Sequence, residues 1–167
     1  MRISSWNYWG VGRTLIVRAL KALIRFEGPD IIFVAKTKSS SPKLEKVKSS
    51  MGFTGLFYVD AVGKAGGLAI FWKFGIDLEV VYSDRYVIAS LIYLNPPNSA
   101  WLLITVYGPP YVAQRSKFWN LMEDLILSFS GQWLLIRDLN SISCRSEKRD
   151  GSKKRRGIVS KLHKFCR

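Results

Sequence analysis

Five runs of β-branched, aromatic and aliphatic residues follow one another between residues 53 and 107, and they constrain the fold more than any other feature. Such residue types favour strands. The runs cover residues 53–59, 67–72, 76–82, 86–94 and 101–107. Short Gly-, Pro- and Asn-containing segments between them are typical of turns. Adjacent strands are therefore predicted to pair mostly antiparallel.

Strand and helix signals alternate in the first 52 residues. A short strand is predicted at 2–6, and the continuous apolar run at 31–34 predicts a strand buried on both faces. Between them, apolar residues recur at helical spacing from Thr14 until Gly28 ends the pattern. The predicted apolar face of this helix consists of Leu15, Ala19, Ala22, Leu23 and Phe26, and its basic outer face of Arg18, Lys21 and Arg25.

A second helix is predicted after the buried strand. Ser41 is its expected N-cap, Pro42 its first residue and Gly52 its stop. Leu44 and Val47 are three residues apart, which places them on one face.

The last part of the apolar sequence adds one more helix and one more strand. Residues 113–129 carry Phe118, Leu121, Leu125 and Phe129 at helical spacing. The run 133–136 predicts another buried strand. The whole order of elements predicts an α+β fold with packed sheets.

Positive charge dominates the chain and is concentrated at its carboxyl end. Lys and Arg number 26 against 12 Asp and Glu, a formal net charge of +14, and ten of these basic residues lie in 145–167. We therefore expect a folded domain at residues 1–142 and a basic, flexible extension at 143–167. The net charge favours a polyanion or an anionic membrane as partner and argues against an acidic metal buffer.

A dense basic cluster lies within this extension. It consists of Lys153, Lys154, Arg155 and Arg156. It is interpreted either as a phosphate-binding or nuclear-targeting cluster, or as a solvated flexible run. Either way, its charge favours non-specific affinity for nucleic acid that falls steeply with salt. Because no aromatic residue is interleaved with the cluster, sequence specificity is not indicated.

Composition excludes several classes of protein. A hydrophobic share of 48% with six Trp is far from that of a disordered chain. Cys144 and Cys166, without a C-x-x-C motif, exclude a disulfide-rich scaffold and a zinc ribbon and favour a reducing, intracellular compartment. The start has no sustained apolar region, and no apolar run reaches the roughly 18 residues of a membrane helix. Secretion and membrane insertion are not expected.

Polar side chains follow several of the predicted strands. Asn7 follows the first strand, Tyr107 ends the strand at 101–107, and Asp138 and Asn140 follow the last strand. An Asp beside an amide can hold and deprotonate a water, and a tyrosine hydroxyl can donate to a phosphate oxygen. On pattern alone, the simpler interpretation of Asp138 and Asn140 is a turn that caps the next segment.

The order of several motifs is similar to that of a known superfamily. The motifs are Ser5-Trp6-Asn7, Pro29-Asp30-Ile31, the Gly-Gly-Leu-Ala-Ile-Phe-Trp run at 66–72, Tyr107-Gly108 and Asp138-Leu139-Asn140. Over about residues 1–155 they resemble the endonuclease/exonuclease/phosphatase superfamily with the DNase I-like fold, most closely the endonuclease domain of plant LINE-type retrotransposon proteins. The resemblance implies a two-sheet α/β sandwich. It also implies hydrolysis of phosphodiester or phosphomonoester bonds with Mg²⁺ or Mn²⁺.

The resemblance also implies roles for four residues. It places the Asn7 amide beside the metal ion and the Tyr107 hydroxyl on the phosphate. It makes Asp138 the carboxylate that activates the attacking water, and Asn140 the amide that orients the site. In such a site the metal neutralises charge that grows on the phosphate while a fixed carboxylate aims the water.

The chain departs from the superfamily's pattern at the expected metal site. The resemblance expects Glu-Thr, whose glutamate is the principal metal ligand, where this chain has Lys36-Thr37. A hard divalent cation prefers oxygen ligands. Two unit charges about 4 Å apart interact by about 4 kcal/mol at an effective dielectric of about 20. Replacing attraction by repulsion is therefore predicted to weaken or abolish Mg²⁺ binding.

Other departures point in the same direction. Arg137 replaces the glycine expected before Asp138, and Tyr8-Trp9 replaces an expected Cys-Arg. The final Asp-His pair of the superfamily is not found, because His163 lies in the basic extension without that setting. We therefore expect the carboxyl-terminal half of the sandwich to be largely missing, with exposed strand edges and a marginally stable fold.

These observations leave three hypotheses. The first is an endonuclease-type domain of a retrotransposon protein that is inactive in this copy. The second is a non-catalytic, sequence-independent nucleic-acid-binding remnant, in which Lys36, Arg137 and the basic cluster contact phosphates, most readily those of DNA. The third is a decayed copy with no function under selection. An intracellular location is expected, and a nuclear one if the basic cluster is a targeting signal.

Overall fold

The computed structural model describes residues 1–7, 14–62, 65–94 and 99–138, without the side chains of residues 62, 65 and 137. The predicted boundary at residue 142 and the basic extension, with Cys144, His163, Cys166 and the cluster at 153–156, lie outside the described residues. The elements in chain order are β1 (Ile3–Asn7), α1 (Thr14–Glu27), β2 (Ile31–Ala35), α2 (Ser41–Ser50), β3 (Gly55–Val62), β4 (Ala65–Trp72), β5 (Asp77–Ser83), β6 (Val87–Leu94), β7 (Ser99–Tyr107), α3 (Val112–Leu127) and β8 (Trp133–Asp138).

The described strands form two four-stranded sheets. The first sheet has the order β1-β2-β4-β3 and the second the order β5-β6-β7-β8. The pairs β1–β2 and β7–β8 are parallel, and all other neighbouring pairs are antiparallel, as predicted. A helix separates the two strands of each parallel pair in sequence, because a parallel pair needs a crossover connection.

The two sheets pack face to face, and the helices cover their outer faces. Buried residues of β2 and β4 meet buried residues of β6 and β7 in the layer between the sheets. Helices α1 and α2 pack on the outside of the first sheet, and α3 packs on the outside of the second. The prediction of an α+β fold with two packed sheets is confirmed. None of the described helices is long and apolar enough to cross a membrane.

Strand β2 is buried along its whole length, as its apolar run predicts. Ile31, Phe33 and Ala35 lie in the layer between the sheets. Ile32 and Val34 pack on the other face, against the helices. This alternation follows from the two-residue period of a strand. The end of β2, which precedes Lys36, is therefore held on both faces.

The predicted apolar face of α1 is wrong except at Leu23, which is partly buried against the core. Leu15 is 77% exposed and Phe26 is 86% exposed, and Ala19 and Ala22 are exposed as well. The buried face consists of Ile16, Leu20 and Ile24. Two apolar stripes run along this helix, and the buried stripe has Ile or Leu at each of its three positions, whereas the predicted stripe contains two alanines that bury little apolar surface. Arg18 and Arg25 are exposed as predicted.

Helix α2 begins one residue away from its predicted start. Ser40, not Ser41, is the N-cap, and it makes no side-chain capping hydrogen bond. Pro42 suits either of the first two helical positions, because an N–H group has no helical partner there. Leu44 and Val47 are buried, as predicted.

The strand predicted at 133–136 forms, but the prediction that it is buried is wrong, because none of its four residues is fully buried. Trp133 is 39% exposed and Leu134 is 42% exposed. The strand that contains them, β8, lies at the edge of the second sheet and pairs only with β7 among the described strands. An apolar run predicts a strand, but it does not reveal how many neighbours that strand has.

Strand β1 is anchored at its beginning by Asp30. The Asp30 carboxylate accepts a hydrogen bond from the Arg2 backbone N–H at 2.8 Å and pairs with the Lys73 ammonium at 3.2 Å. The hydrogen bond from Arg2, and after it the interaction with Lys73, lower the pKa of the Asp30 carboxyl. The hydrogen bond from Arg2 and the ion pair with Lys73 therefore stabilise the fold above a pH of about 4. This stabilisation is lost as the pH falls through the lowered pKa of Asp30.

The two stripes of α1 give a direct stability test. Leu20→Ala should lower the free energy of unfolding by about 2–5 kcal/mol, because Leu20 is 1% exposed and its removal leaves a cavity. Leu15→Ala should change it by no more than about 0.5 kcal/mol, because that side chain is exposed. Urea unfolding followed by circular dichroism measures both variants. Equal losses would contradict the assigned face.

Candidate functional site

Four strand ends meet at one edge of the sandwich. In the first sheet, Asn7 at the end of β1 is the register partner of Ala35, which directly precedes Lys36. In the second sheet, Tyr107 at the end of β7 is the register partner of Asp138 at the end of β8. Because each pair is parallel, both of its strands end at the same edge. Ligands of α/β proteins commonly bind outside the carboxyl ends of such strands.

Side-chain contacts join the two sheets at this edge. The Asn7 amide donates a hydrogen bond from Nδ2 to Oδ2 of Asp138. The Lys36 ammonium lies over the Tyr107 ring, 4.8 Å from its centroid. We call Asn7, Lys36, Tyr107 and Asp138 the strand-end cluster. Tyr107 is buried and forms its floor, whereas Asn7 is exposed, so the cluster is open to solvent.

The cluster contains most of the site residues that the sequence suggests, but not all of them. Asn7, Lys36, Tyr107 and Asp138 lie together. The backbone of Arg137 lies in β8, but its side chain is outside the description. Asn140 and the basic cluster at 153–156 lie outside the described residues.

The loop that carries Lys36 has an unusual backbone. Lys36 and Lys38 have φ angles of 59° and 45°, in the left-handed region that costs a non-glycine residue about 1–2 kcal/mol. Between them, Thr37 is 1% exposed. The Thr37 N–H donates to the Gly67 carbonyl at 3.1 Å, and the Lys38 N–H donates to the Gly66 carbonyl at 3.4 Å. The loop is thus held against the start of β4.

Gly67 allows this close approach. Its φ angle is +83°, and a Cβ atom built on it would overlap with Oγ1 of Thr37. The sequence showed Gly66 and Gly67 only as part of a motif. Their contact with the Lys36 loop depends on the pairing of β2 with β4, which the local sequence does not reveal.

A pocket of about 320 Å³ opens beside the strand-end cluster and shares Lys36 and Tyr107 with it. Six residues that line it are not singled out by the sequence: Lys38, Asp60, Arg85, Tyr86, Tyr111 and Gln114. Several of them lie in or beside turns at this end of the sandwich. The sequence shows charged and aromatic residues in these turns, which is a weak signal of a binding site, but it does not show that the turns meet.

The cluster is a poor fit for a divalent metal ion. Mg²⁺ and Mn²⁺ prefer several oxygen ligands, usually carboxylates. The cluster offers one carboxylate, on Asp138, and one amide, on Asn7, beside the Lys36 ammonium. Within residues 1–7, 14–62, 65–94 and 99–138, no group of three or more His, Cys, Asp or Glu side chains could hold a metal ion. We therefore assign no chemical step to a metal.

Comparison with solved structures identifies the fold. The catalytic domain of Xenopus laevis APE2 matches with a TM-score of 0.68 at 18% identity, over 99% of this chain and 67% of that one. The 3′ phosphatase NExo from Neisseria, bound to a product DNA hairpin, matches with a TM-score of 0.66 at 18% identity, over 90% and 62%. The AP endonuclease LMAP from Leishmania major matches with a TM-score of 0.54 at 18% identity, over 72% and 46%.

These neighbours are enzymes with the DNase I-like fold, and the chain has that fold. The predicted two-sheet sandwich of the DNase I-like type is confirmed. No protein-family model and no curated protein matches the sequence. The chain spans between 46% and 67% of the length of the three solved structures.

The contact between Gly67 and the Lys36 loop is testable. Gly67→Ala and Gly52→Ala both place alanine at a positive φ, but a Cβ atom on Gly52 meets nothing within 4 Å. Both variants should lose about 1–2 kcal/mol from the backbone. Gly67→Ala should lose a further 1–3 kcal/mol or so from the overlap with Thr37. Chemical denaturation measures the difference, and equal losses would contradict this contact.

Proposed function

We propose that the chain is an endonuclease-type domain of a LINE-type retrotransposon protein that retains phosphate binding and has lost hydrolysis. One observation carries the proposal: the Lys36 ammonium lies over the Tyr107 ring, at the strand end where the resemblance expects a metal-binding glutamate. A lysine there supplies positive charge over the Tyr107 ring without a metal ion. The site can therefore attract a phosphodiester group through charge-assisted hydrogen bonds.

The strand-end cluster contains three groups that can donate hydrogen bonds and one carboxylate, which only accepts them. The Lys36 ammonium, the Tyr107 hydroxyl and the Asn7 amide can each donate to phosphate oxygens. The Asp138 carboxylate would repel a phosphate, and its hydrogen bond from Asn7 and the nearby positive charge of Lys36 offset that repulsion. The net charge of +14 adds a general attraction to the nucleic-acid backbone. The partner we propose is therefore nucleic acid, most readily DNA, bound without sequence preference.

The loss of hydrolysis follows from the chemistry of the donor set. Phosphodiester hydrolysis needs stabilisation of the charge that develops on the phosphate, together with a water aimed at phosphorus. A divalent ion supplies several kcal/mol of that stabilisation in metal-dependent hydrolases. The cluster has one carboxylate for such an ion and an ammonium beside it. Binding of a phosphate is thus easier to support here than its cleavage.

The fold supports a nucleic-acid partner. Among the neighbours, NExo is bound to a DNA hairpin and LMAP is an AP endonuclease. The activities of these complete proteins apply to this chain only as part of the proposal, because it spans about two thirds or less of their length. The plant LINE origin rests on the sequence resemblance, and a nuclear location rests on the basic cluster at 153–156.

A hydrolysing nuclease is the second candidate. The observation that favours it is the hydrogen bond between Asn7 and Asp138, because it brings two residues that the resemblance assigns to the hydrolytic site together, and a fixed carboxylate can activate a water. The two candidates differ in one measurable property: the second cleaves nucleic acid and the first does not.

Binding without a metal tests the role of Lys36. In buffer with EDTA, Lys36→Ala should weaken binding of a short fluorescein-labelled DNA duplex about 10-fold or more, because a charge-assisted hydrogen bond to phosphate is lost. Lys46→Ala is the matched control, since it removes the same charge from an exposed position on α2. Fluorescence anisotropy measures both. Equal effects of the two substitutions would refute phosphate binding by Lys36.

Plasmid nicking tests the loss of hydrolysis. Supercoiled plasmid incubated with the full chain and Mg²⁺ or Mn²⁺ should stay supercoiled, because the cluster lacks the ligands for an activating ion. Gel electrophoresis detects nicking, with the Asp138→Ala variant as the comparison. Metal-dependent nicking that disappears in Asp138→Ala would overturn this part of the proposal and favour the second candidate.

A further inference from the structure

The pocket beside the strand-end cluster extends well beyond a phosphate site. Its volume of about 320 Å³ is sufficient for a small organic group. Lys36 and Tyr107 form its border with the cluster, and the backbone of Gly66 and Gly67 forms another part of its wall. The rest of its lining lies outside the strand-end cluster. That part of the pocket is therefore open to a second group of the same ligand.

We propose that this pocket receives the base of one unpaired nucleotide whose phosphate lies on the strand-end cluster. The inference rests on the proposed function, because the phosphate position is the one assigned there. It adds a preference for single-stranded nucleic acid over duplex.

The aromatic lining of the pocket suits a nucleobase. Tyr111, directly before α3, lines the pocket and is 70% exposed, so its ring is accessible for stacking. The Tyr86 hydroxyl donates to Oε1 of Gln114 at 2.5 Å, which orients the Gln114 amide. The NH₂ group of that amide is a donor for the edge of a base. Aromatic rings stack on any base, so this arrangement needs no particular sequence.

The charged lining suits the phosphates on either side of such a base. Lys36, Lys38 and Arg85 line the pocket, and Asp60 is the only acidic side chain among its described lining residues. The Arg85 guanidinium lies 5.4 Å from the centroid of the Tyr86 ring. Cations interleaved with aromatic rings are the combination with which proteins bind single strands.

The shape of the ligand decides between paired and unpaired nucleotides. A base inside a duplex is stacked on both sides and paired at its edge, so it enters a pocket only after it leaves the helix. A base in a single strand is already accessible to aromatic side chains. The pocket should therefore discriminate by strandedness, whereas the strand-end cluster alone should bind the phosphates of either form.

Three fluorescein-labelled probes separate these contributions in EDTA buffer at moderate salt: a single strand, an abasic strand of the same length and charge, and a hairpin duplex. The full chain should bind the base-bearing strand roughly 5- to 150-fold more tightly than the abasic strand, as expected for one stacked base. Tyr111→Ala should remove most of that preference, and Tyr111→Trp should keep it. Phe74→Ala is the control, since Phe74 is an aromatic residue, 90% exposed, outside this pocket.

The outcomes of this experiment separate the inference from the proposed function. If the abasic strand binds and depends on Lys36, but bases add nothing, the base pocket is refuted and phosphate binding stands. If abasic binding does not depend on Lys36, the proposed function fails instead. A preference for the base-bearing strand that survives Tyr111→Ala, or is lost equally in Phe74→Ala, also refutes the pocket. The preference of the unmodified chain for the base-bearing strand over the abasic strand tests the pocket without any variant.

Discussion

The face-to-face packing of the two sheets is the interaction on which the site depends. The side chains between the sheets are almost completely buried, and Ile31, Phe33, Ile88 and Leu103 are among them. Burial of each large apolar side chain stabilises the fold by about 1.5–3 kcal/mol. The strand-end cluster has members on both sheets. Its geometry therefore depends on how this apolar layer packs the sheets together, and not on contacts within the cluster.

Lys36, directly after β2, places a positive charge at this edge of the sandwich. Its ammonium lies over a tyrosine ring of the opposite sheet, and its backbone is in the left-handed region. Such a backbone persists only where the surroundings over-determine it, and strained residues of this kind cluster at functional sites. Here the buried Thr37 and the carbonyls of Gly66 and Gly67 hold it. The fold therefore fixes the backbone from which this positive charge extends, and the ammonium contacts the Tyr107 ring.

The sequence predicts local features of this structure better than relations between elements. The sequence predicts strand β2 with its burial on both faces and singles out Asn7, Tyr107 and Asp138, because residue type and strand pattern are local signals. The buried face of α1 was missed because two apolar stripes compete within one helix. The exposure of Trp133 depends on how many strands flank β8. The pocket around Tyr111 depends on which turns fold to the same end, which no single segment encodes.

The hydrogen bond between Asn7 and Asp138 also bears on how the chain folds. These residues are 131 positions apart, so their contact closes nearly the whole described chain into one loop. Long-range contacts carry a large entropic cost and tend to form after local ones. Neither sheet alone brings the two side chains together. A partly folded chain, including one still emerging during synthesis, would lack this constellation, so ligand recognition at this edge becomes possible only at the end of folding.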